Sequence, residues 1–397
     1  MQKVPLMSKK MKKLLAMNTV SSIIAIYIGL FVNLYLWEQT HSIAELSLYN
    51  LSMFISWGIA FTATAKLLTR FTIRLPLGVS AVCGGIAFAY LQYAHLEPRW
   101  AWIVILGIPI GAMFGFSTAA QNLSIALSGK SSELSPYFAA VSIIGQVLSI
   151  AVPFAAAQVI NGFGYGGSFA LMLVFLVLML VFSAFIPRMK LPAPQGEAER
   201  ADHGKFRFRL AFGQPGAKWM LLSMLAAGIF LQFQNLFTLL FTFSVTENKV
   251  LIALLNMLYT LSAVGGLWVY RKYRIHEIRW LWMGAGLLAV GFVIVLFRHP
   301  AALVVSNVLT AVGMFYFTTV WNAQQFRFIQ PAGAIRQTSF LVWRENILVA
   351  TRCLLLVLTF QLTELHGVWF VMIISFTVCC LMLIPLFQHL ALRGREE

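Results

Sequence analysis

The chain has 397 residues, of which 60% are hydrophobic and only 11% charged. About a quarter of a typical soluble domain is charged, so polar groups here are too few to cover a water-facing surface of this size. That excludes a water-soluble enzyme, a disordered chain and a collagenous or coiled-coil one. The 29 Lys and Arg against 13 Asp and Glu give a formal charge of +16. They stand in short clusters between apolar runs and not along one domain face, so no nucleic-acid partner is expected.

A helix needs about 20 mostly apolar residues to cross roughly 30 Å of hydrocarbon. In chain order such runs fall at 14–37, 45–66, 75–95, 101–126, 136–160 and 166–187, then at 219–244, 249–270, 278–297, 301–325, 338–362 and 367–390. They predict an all-α membrane protein with twelve transmembrane helices. Barrel strands would instead alternate over about ten residues. The first run is too long for a cleaved signal peptide and lacks a small-residue cleavage site. The stretch 188–217, rich in Pro, Gly and charge, is the one long polar interruption and reads as a linker. The expected organisation is therefore a six-helix bundle over 1–190, a loop over 191–217 and a second six-helix bundle over 218–397.

Lysine and arginine in the loops set the expected orientation. With a cytoplasmic N-terminus, the cytoplasmic side holds the Lys3–Lys13 cluster, Lys66, Arg70, Arg74, Lys130, the basic residues of the central loop, Arg271–Arg279, Arg327, Arg336, Arg393 and Arg395. The opposite side holds only Arg99, Lys249 and Arg298. A multi-pass protein of the plasma membrane with both termini in the cytoplasm is expected. Its positive charge is explained by insertion and by attraction to the lipid bilayer's anionic headgroups.

Met113-Phe-Gly-Phe-Ser-Thr118 in the fourth span matches Met314-Phe-Tyr-Phe-Thr-Thr319 in the tenth. The same offset carries Ala65-Lys-Leu-Leu-Thr-Arg70 onto Gly266-Leu-Trp-Val-Tyr-Arg271, each after the second helix of its half. Two matches at one offset indicate an internal duplication. With twelve spans, a central loop and these basic short loops, the chain resembles the major facilitator superfamily. Of that family's loop signature, Gly-x-x-x-Asp-Arg-x-Gly-Arg-Arg, Arg70 and Arg74 keep basic positions, whereas Ala65, Thr69 and Thr72 replace a Gly, the Asp and a Gly. Gly266 and Arg271 fit in the second half. The resemblance implies two pseudo-symmetric bundles, alternating access to a site near the bilayer midplane, gating loops around Arg70, Arg74 and Arg271, and a monomer.

Charged groups inside spans are costly, about 2.5–3.5 kcal/mol each on insertion scales. Glu345 is the acid that lies well inside a span, and Arg344 and Arg352 share its helix. Seven residues put Glu345 and Arg352 on nearly one face about 10 Å apart, while Arg344 points about 100° away. Glu345 is a candidate to bind a coupling proton or a cationic group. Arg344 or Arg352 is a candidate for an anionic headgroup or carboxylate. Against both stands an internal ion-pair network that only fixes packing.

A second constellation is polar and uncharged. It comprises Gln121 in the fourth span, Gln232 and Asn235 in the seventh, and Trp321, Asn322 and Gln325 in the tenth, where three- and four-residue spacing makes one face. Such faces suit a substrate cavity but equally serve interhelical hydrogen bonds. Asn18, Tyr49 and Asn50 are expected at span ends among headgroups. Gly107, Gly111 and Gly115 read as close helix packing.

The four cysteines lie inside apolar runs and six of the seven histidines in loops, so no metal site is expected. Without an HExxH motif, a nucleophile elbow or a phosphate-binding loop, no cofactor and no enzymatic activity are expected. The sequence thus predicts a secondary transporter of a small amphipathic organic solute, with proton-coupled efflux as the leading form. The alternative is a flippase or permease for an amphipathic anion or lipid-linked substrate that uses the intramembrane arginines.

Overall fold

The computed structural model describes residues 8–94, 96–128, 131–191, 204–273, 276–297, 299–329, 333–362 and 365–396. Of the expected 191–217 linker, residues 192–203 therefore lie outside the described residues. The helices are α1 (Lys9–Thr40), α2 (Ile43–Leu67), α3 (Arg74–Tyr93), α4 (Arg99–Ser128), α5 (131–163) and α6 (165–185). After a short turn of helix at Phe208–Phe212 come α7 (Ala217–Val245), α8 (Lys249–Lys272), α9 (Glu277–Ile294), α10 (Pro300–Ile329), α11 (Ala334–Thr359) and α12 (Gly367–Glu396). There is no strand among the described residues.

Local chemistry explains the boundaries. Ser8 caps α1 by accepting from the Met11 N–H at 3.4 Å, and the Asn248 side-chain oxygen Oδ1 caps α8 by accepting from the Val250 and Leu251 N–H groups. Residues 131–185 form one hydrogen-bonded run that is two helices in fact, because Gly164 stands at φ 68°, ψ −178°. That backbone region belongs almost wholly to glycine. Ten helical stretches are long and apolar enough to span a membrane. Dividing 131–185 at Gly164 adds one. The twelfth is α11, in which Arg344, Glu345 and Arg352 interrupt an otherwise apolar stretch.

Two compact units form. One comprises Met1–Leu36, Leu48–Arg207 and Gly333–Asn346; the other comprises Trp37–Ser47, Phe208–Ala332 and Ile347–Glu397. In the first, α1 packs on α6 through Tyr27 and Ser168, α3 on α6 through Gly84 and Leu176, and α3 on α4 through the Ser80 hydroxyl and the Met113 carbonyl. In the second, α7 packs on α12, α9 on α12 and α9 on α10. The neighbour pattern repeats at a spacing of six helices, as the internal duplication requires. The fold is a pair of pseudo-symmetric six-helix bundles.

In lipid, helices gain little from leaving the hydrocarbon, so close van der Waals fit and hydrogen bonds hold them together. The glycines of α4 supply that fit. A Cβ on Gly107 would meet Ser52 Oγ at 2.7 Å, and Gly111 and Gly115 lie against the Met53 and Trp57 carbonyls of α2. In the second unit α7 is the most enclosed helix. Its Phe230, Phe233, Phe237 and Phe241 are buried, and the first three meet Phe292, Phe317 and Phe370 of α9, α10 and α12 in tilted or edge-on ring contacts.

Candidate functional site

Glu345 stands near the middle of α11, a helix of 26 residues. It is 5% exposed, and its carboxylate makes no hydrogen bond or ion pair among the described residues. Its neighbour Asn346 donates to Thr62 Oγ1 of α2 at 2.9 Å, and Trp343 donates to the Phe206 carbonyl at 2.8 Å. These two bonds fix the turn of α11 that carries the acid. Arg344 and Arg352 are half-buried. Helix geometry puts Arg352 two turns beyond Glu345 and Arg344 on a different face.

The second unit holds the polar residues of α7 and α10. Trp321 is 2% exposed, and its indole Nε1 donates to Ser223 Oγ at 3.1 Å. Ser223 in turn donates to Gln388 Oε1 at 2.9 Å, so α10, α7 and α12 share one chain of bonds. Asn322 returns its amide to the Thr318 carbonyl on its own helix. Gln325 is buried and Asn235 exposed. Gln232 and Gln324 are buried too, and their side-chain oxygens find no hydrogen-bond partner among the described residues. Buried polar atoms are nearly always satisfied, so these two are exceptions.

Sequence reading missed a polar knot in this unit. The Asn307 amide of α10 donates to the Thr238 carbonyl, Thr242 Oγ1 and the Tyr259 hydroxyl at 3.1–3.3 Å. Asn307, Thr242 and Tyr259 are all buried. The available signal was an amide inside an apolar run three residues before Thr310.

In the first unit, Gln121 donates to Ser117 Oγ at 3.4 Å, and Ser117 meets Ser21 of α1 at 2.9 Å. Tyr49 and Asn50 are corrected. They do not sit among headgroups but are buried, because α2 begins at Ile43 and carries them almost two turns inward. Asn50 donates to Asn33 Oδ1, and Asn33 itself donates to the Gly29 carbonyl at 2.9 Å. This closes a widened π turn at Ile28–Val32 in α1. Such turns recur at functional positions.

Of the basic loop residues, Arg74 is half-buried and its Nε donates to the Ile186 carbonyl at 2.7 Å. Arg70 is exposed. Arg271 ends α8 in the backbone, and its side chain lies outside the described residues.

The sequence profile described as Major Facilitator Superfamily matches residues 14–341. The chain belongs to the major facilitator superfamily. It is a multi-pass membrane protein with a transporter's fold. Similar curated proteins include the uncharacterized protein YqgE of Bacillus subtilis (strain 168), 26% identical over 212 residues, 51% of this chain and 46% of that one. Another is an uncharacterized protein in the sodM 3′ region of Geobacillus stearothermophilus, 28% identical over 93 residues, 23% of this chain and 43% of that one. The matched stretches thus span a little under half the length of either relative.

Among solved structures, a POT family transporter in complex with 5-aminolevulinic acid superposes at TM-score 0.71 with 11% identity, covering 96% of each chain. A D-xylose-proton symporter superposes at 0.67 with 14% identity, covering 96% of this chain and 97% of that one. Identities this low establish the shared fold alone. Within the superfamily's fold, the Met113–Thr118 and Met314–Thr319 repeats fall on α4 and α10, equivalent helices of the two bundles.

Proposed function

We propose that this superfamily member is a secondary active transporter that moves a small amphipathic organic solute by alternating access, with a proton as the coupling ion and Glu345 as its carrier. The observation that carries this reading is a carboxyl 5% exposed at mid-helix with no donor or cation bonded to it among the described residues. Intramembrane ionisable residues are conserved at such cost mainly for proton, ion or substrate handling. A carboxyl without a bonded partner among the described residues is available to exchange a proton as the site opens to either side. The fold shared with a D-xylose-proton symporter is consistent with that coupling.

The substrate reading rests on the rest of the interior. The amide oxygens of Gln232 and Gln324, buried and without a hydrogen-bond partner among the described residues, offer acceptors, which suits a solute with donors on an apolar body. A single buried acid among the described residues of the spans favours export of such amphipathic compounds over uptake of strongly charged nutrients.

Inverted membrane vesicles with an imposed proton gradient test the proposal. A panel of fluorescent amphipathic dyes should accumulate in vesicles carrying the wild type and fail to do so with Glu345→Gln. Gradient-driven accumulation that survives the substitution removes Glu345 from coupling. Dyes that move in neither protein exclude broad amphipathic efflux and favour an anionic or lipid-linked solute bound by Arg344 or Arg352.

A further inference from the structure

The connection between α2 and α3 and the strand of chain that follows α6 are tied together by main-chain bonds. The Ile73 N–H donates to the Met189 carbonyl at 2.9 Å, and the Leu191 N–H donates to the Leu68 carbonyl at 3.0 Å. Arg74 adds its bond to the Ile186 carbonyl, and Lys13 donates to the Phe185 carbonyl at 3.1 Å. Two loops are thereby held as one rigid rim. Between them lies a cleft of about 540 Å³ lined by Arg70, Phe71, Thr72, Arg188 and Lys190.

Arg70, Arg188 and Lys190 form no ion pair and no hydrogen bond among the described residues, and among those residues no acid lines the cleft. Arg74 and Lys13 differ, because they are engaged with carbonyls of the rim. Three like charges around one fixed hollow repel one another, and an anion seated among them reverses the sign of that interaction. Two guanidinium forks, an ammonium and the Thr72 hydroxyl supply a donor set matched to phosphate oxygens. Phe71, which lines the cleft, and Leu75 and Phe185, at the helix ends that flank its two loops in sequence, are 49%, 41% and 62% exposed and offer an apolar border at the end of three helices.

We propose that this cleft is a phosphate-binding site that takes the headgroup of an anionic phospholipid at the membrane face. The apolar border accommodates the acyl chains while the three cations hold the phosphate. The ligand is thus a structural lipid of the α2–α3 loop and not the transported solute. A soluble phosphate compound shares the headgroup chemistry but makes no use of the apolar border, so the two sources are separable.

The test uses the purified full-length chain in detergent, followed by its thermal unfolding and by native mass spectrometry of bound lipid. Phosphatidylglycerol should raise the unfolding midpoint above that in phosphatidylcholine, whereas inorganic phosphate and glycerol 3-phosphate should not. Arg70→Gln, Arg188→Gln and Lys190→Gln should each weaken phosphatidylglycerol binding by about fivefold, the worth of one basic residue at an anionic surface. Lys218→Gln, a charge change in the other unit, should leave it unchanged. Single variants that unfold at the wild-type midpoint in phosphatidylcholine separate lost binding from lost folding. Protection by soluble phosphates that the same substitutions remove keeps the phosphate site but assigns it a soluble ligand. Phosphatidylglycerol retention equal to wild type in all three variants overturns the site.

Discussion

The indole of Trp321 on α10 donates to Ser223 on α7, and Ser223 passes a bond on to Gln388 on α12, so one hydroxyl links three helices. Inside a bundle surrounded by lipid, each of these groups lacks water as a substitute partner. Ser223→Ala orphans both the indole N–H and the Gln388 oxygen. The expected loss is about 1–3 kcal/mol, read as a lowered thermal unfolding midpoint in detergent. Trp321→Phe, which removes the donor along with its need, should cost less than Ser223→Ala removes.

Glu345 gives a contrasting expectation. A buried acid that only serves packing through a partner charge leaves that charge stranded when neutralised, at about 3–5 kcal/mol. The carboxyl here has no such partner among the described residues. Glu345→Gln should therefore fold with a midpoint at or slightly above that of the wild type while losing gradient-driven flux. A large drop in stability would point to a structural ion pair instead.

Gly111 and Gly85 make a matched pair. A Cβ at Gly111 would run into the Met53 carbonyl and Ser56 of α2, whereas one at Gly85 of α3 meets nothing within 4 Å. Gly111→Val should push α4 off α2 and destabilise by about 1–3 kcal/mol or more. Gly85→Ala should raise stability by up to about 1 kcal/mol through helix propensity. Comparing the two midpoints in one detergent distinguishes packing from propensity.

Gly164 separates α5 from α6 at φ 68°. Alanine there meets no steric neighbour but must adopt a conformation that L side chains rarely hold. Gly164→Ala should therefore cost about 1–3 kcal/mol without any change in contacts. Gly162→Ala, two residues earlier with equally open surroundings and no positive φ, should be near neutral.

Much of this architecture follows from the sequence alone. Apolar runs of spanning length, interrupted by basic loops, dictate twelve helices, because a lipid-embedded backbone must satisfy its own hydrogen bonds. Even the break between the fifth and sixth helices was legible, since the runs at 136–160 and 166–187 leave Gly164 in the gap. The mid-helix position of Glu345 follows from a fixed rise per residue. The α4 glycines announced a close approach by their four-residue spacing.

The tertiary structure decided who meets whom. Nothing in the sequence says that Ser223 stands under Trp321, 98 positions away, or that Asn307 collects Thr242 and Tyr259 from two other helices. A polar residue in a span advertises a need for a partner without naming it. Tyr49 and Asn50 show the same limit from another side, because the helix starts at Ile43, two residues before the apolar run, and neighbouring side chains that hydropathy does not see bury both. The cleft at Arg70, Arg188 and Lys190 joins loops more than a hundred residues apart. Charge counting marks such residues as topology signals, and only the main-chain bonds between the loops gather them around one hollow.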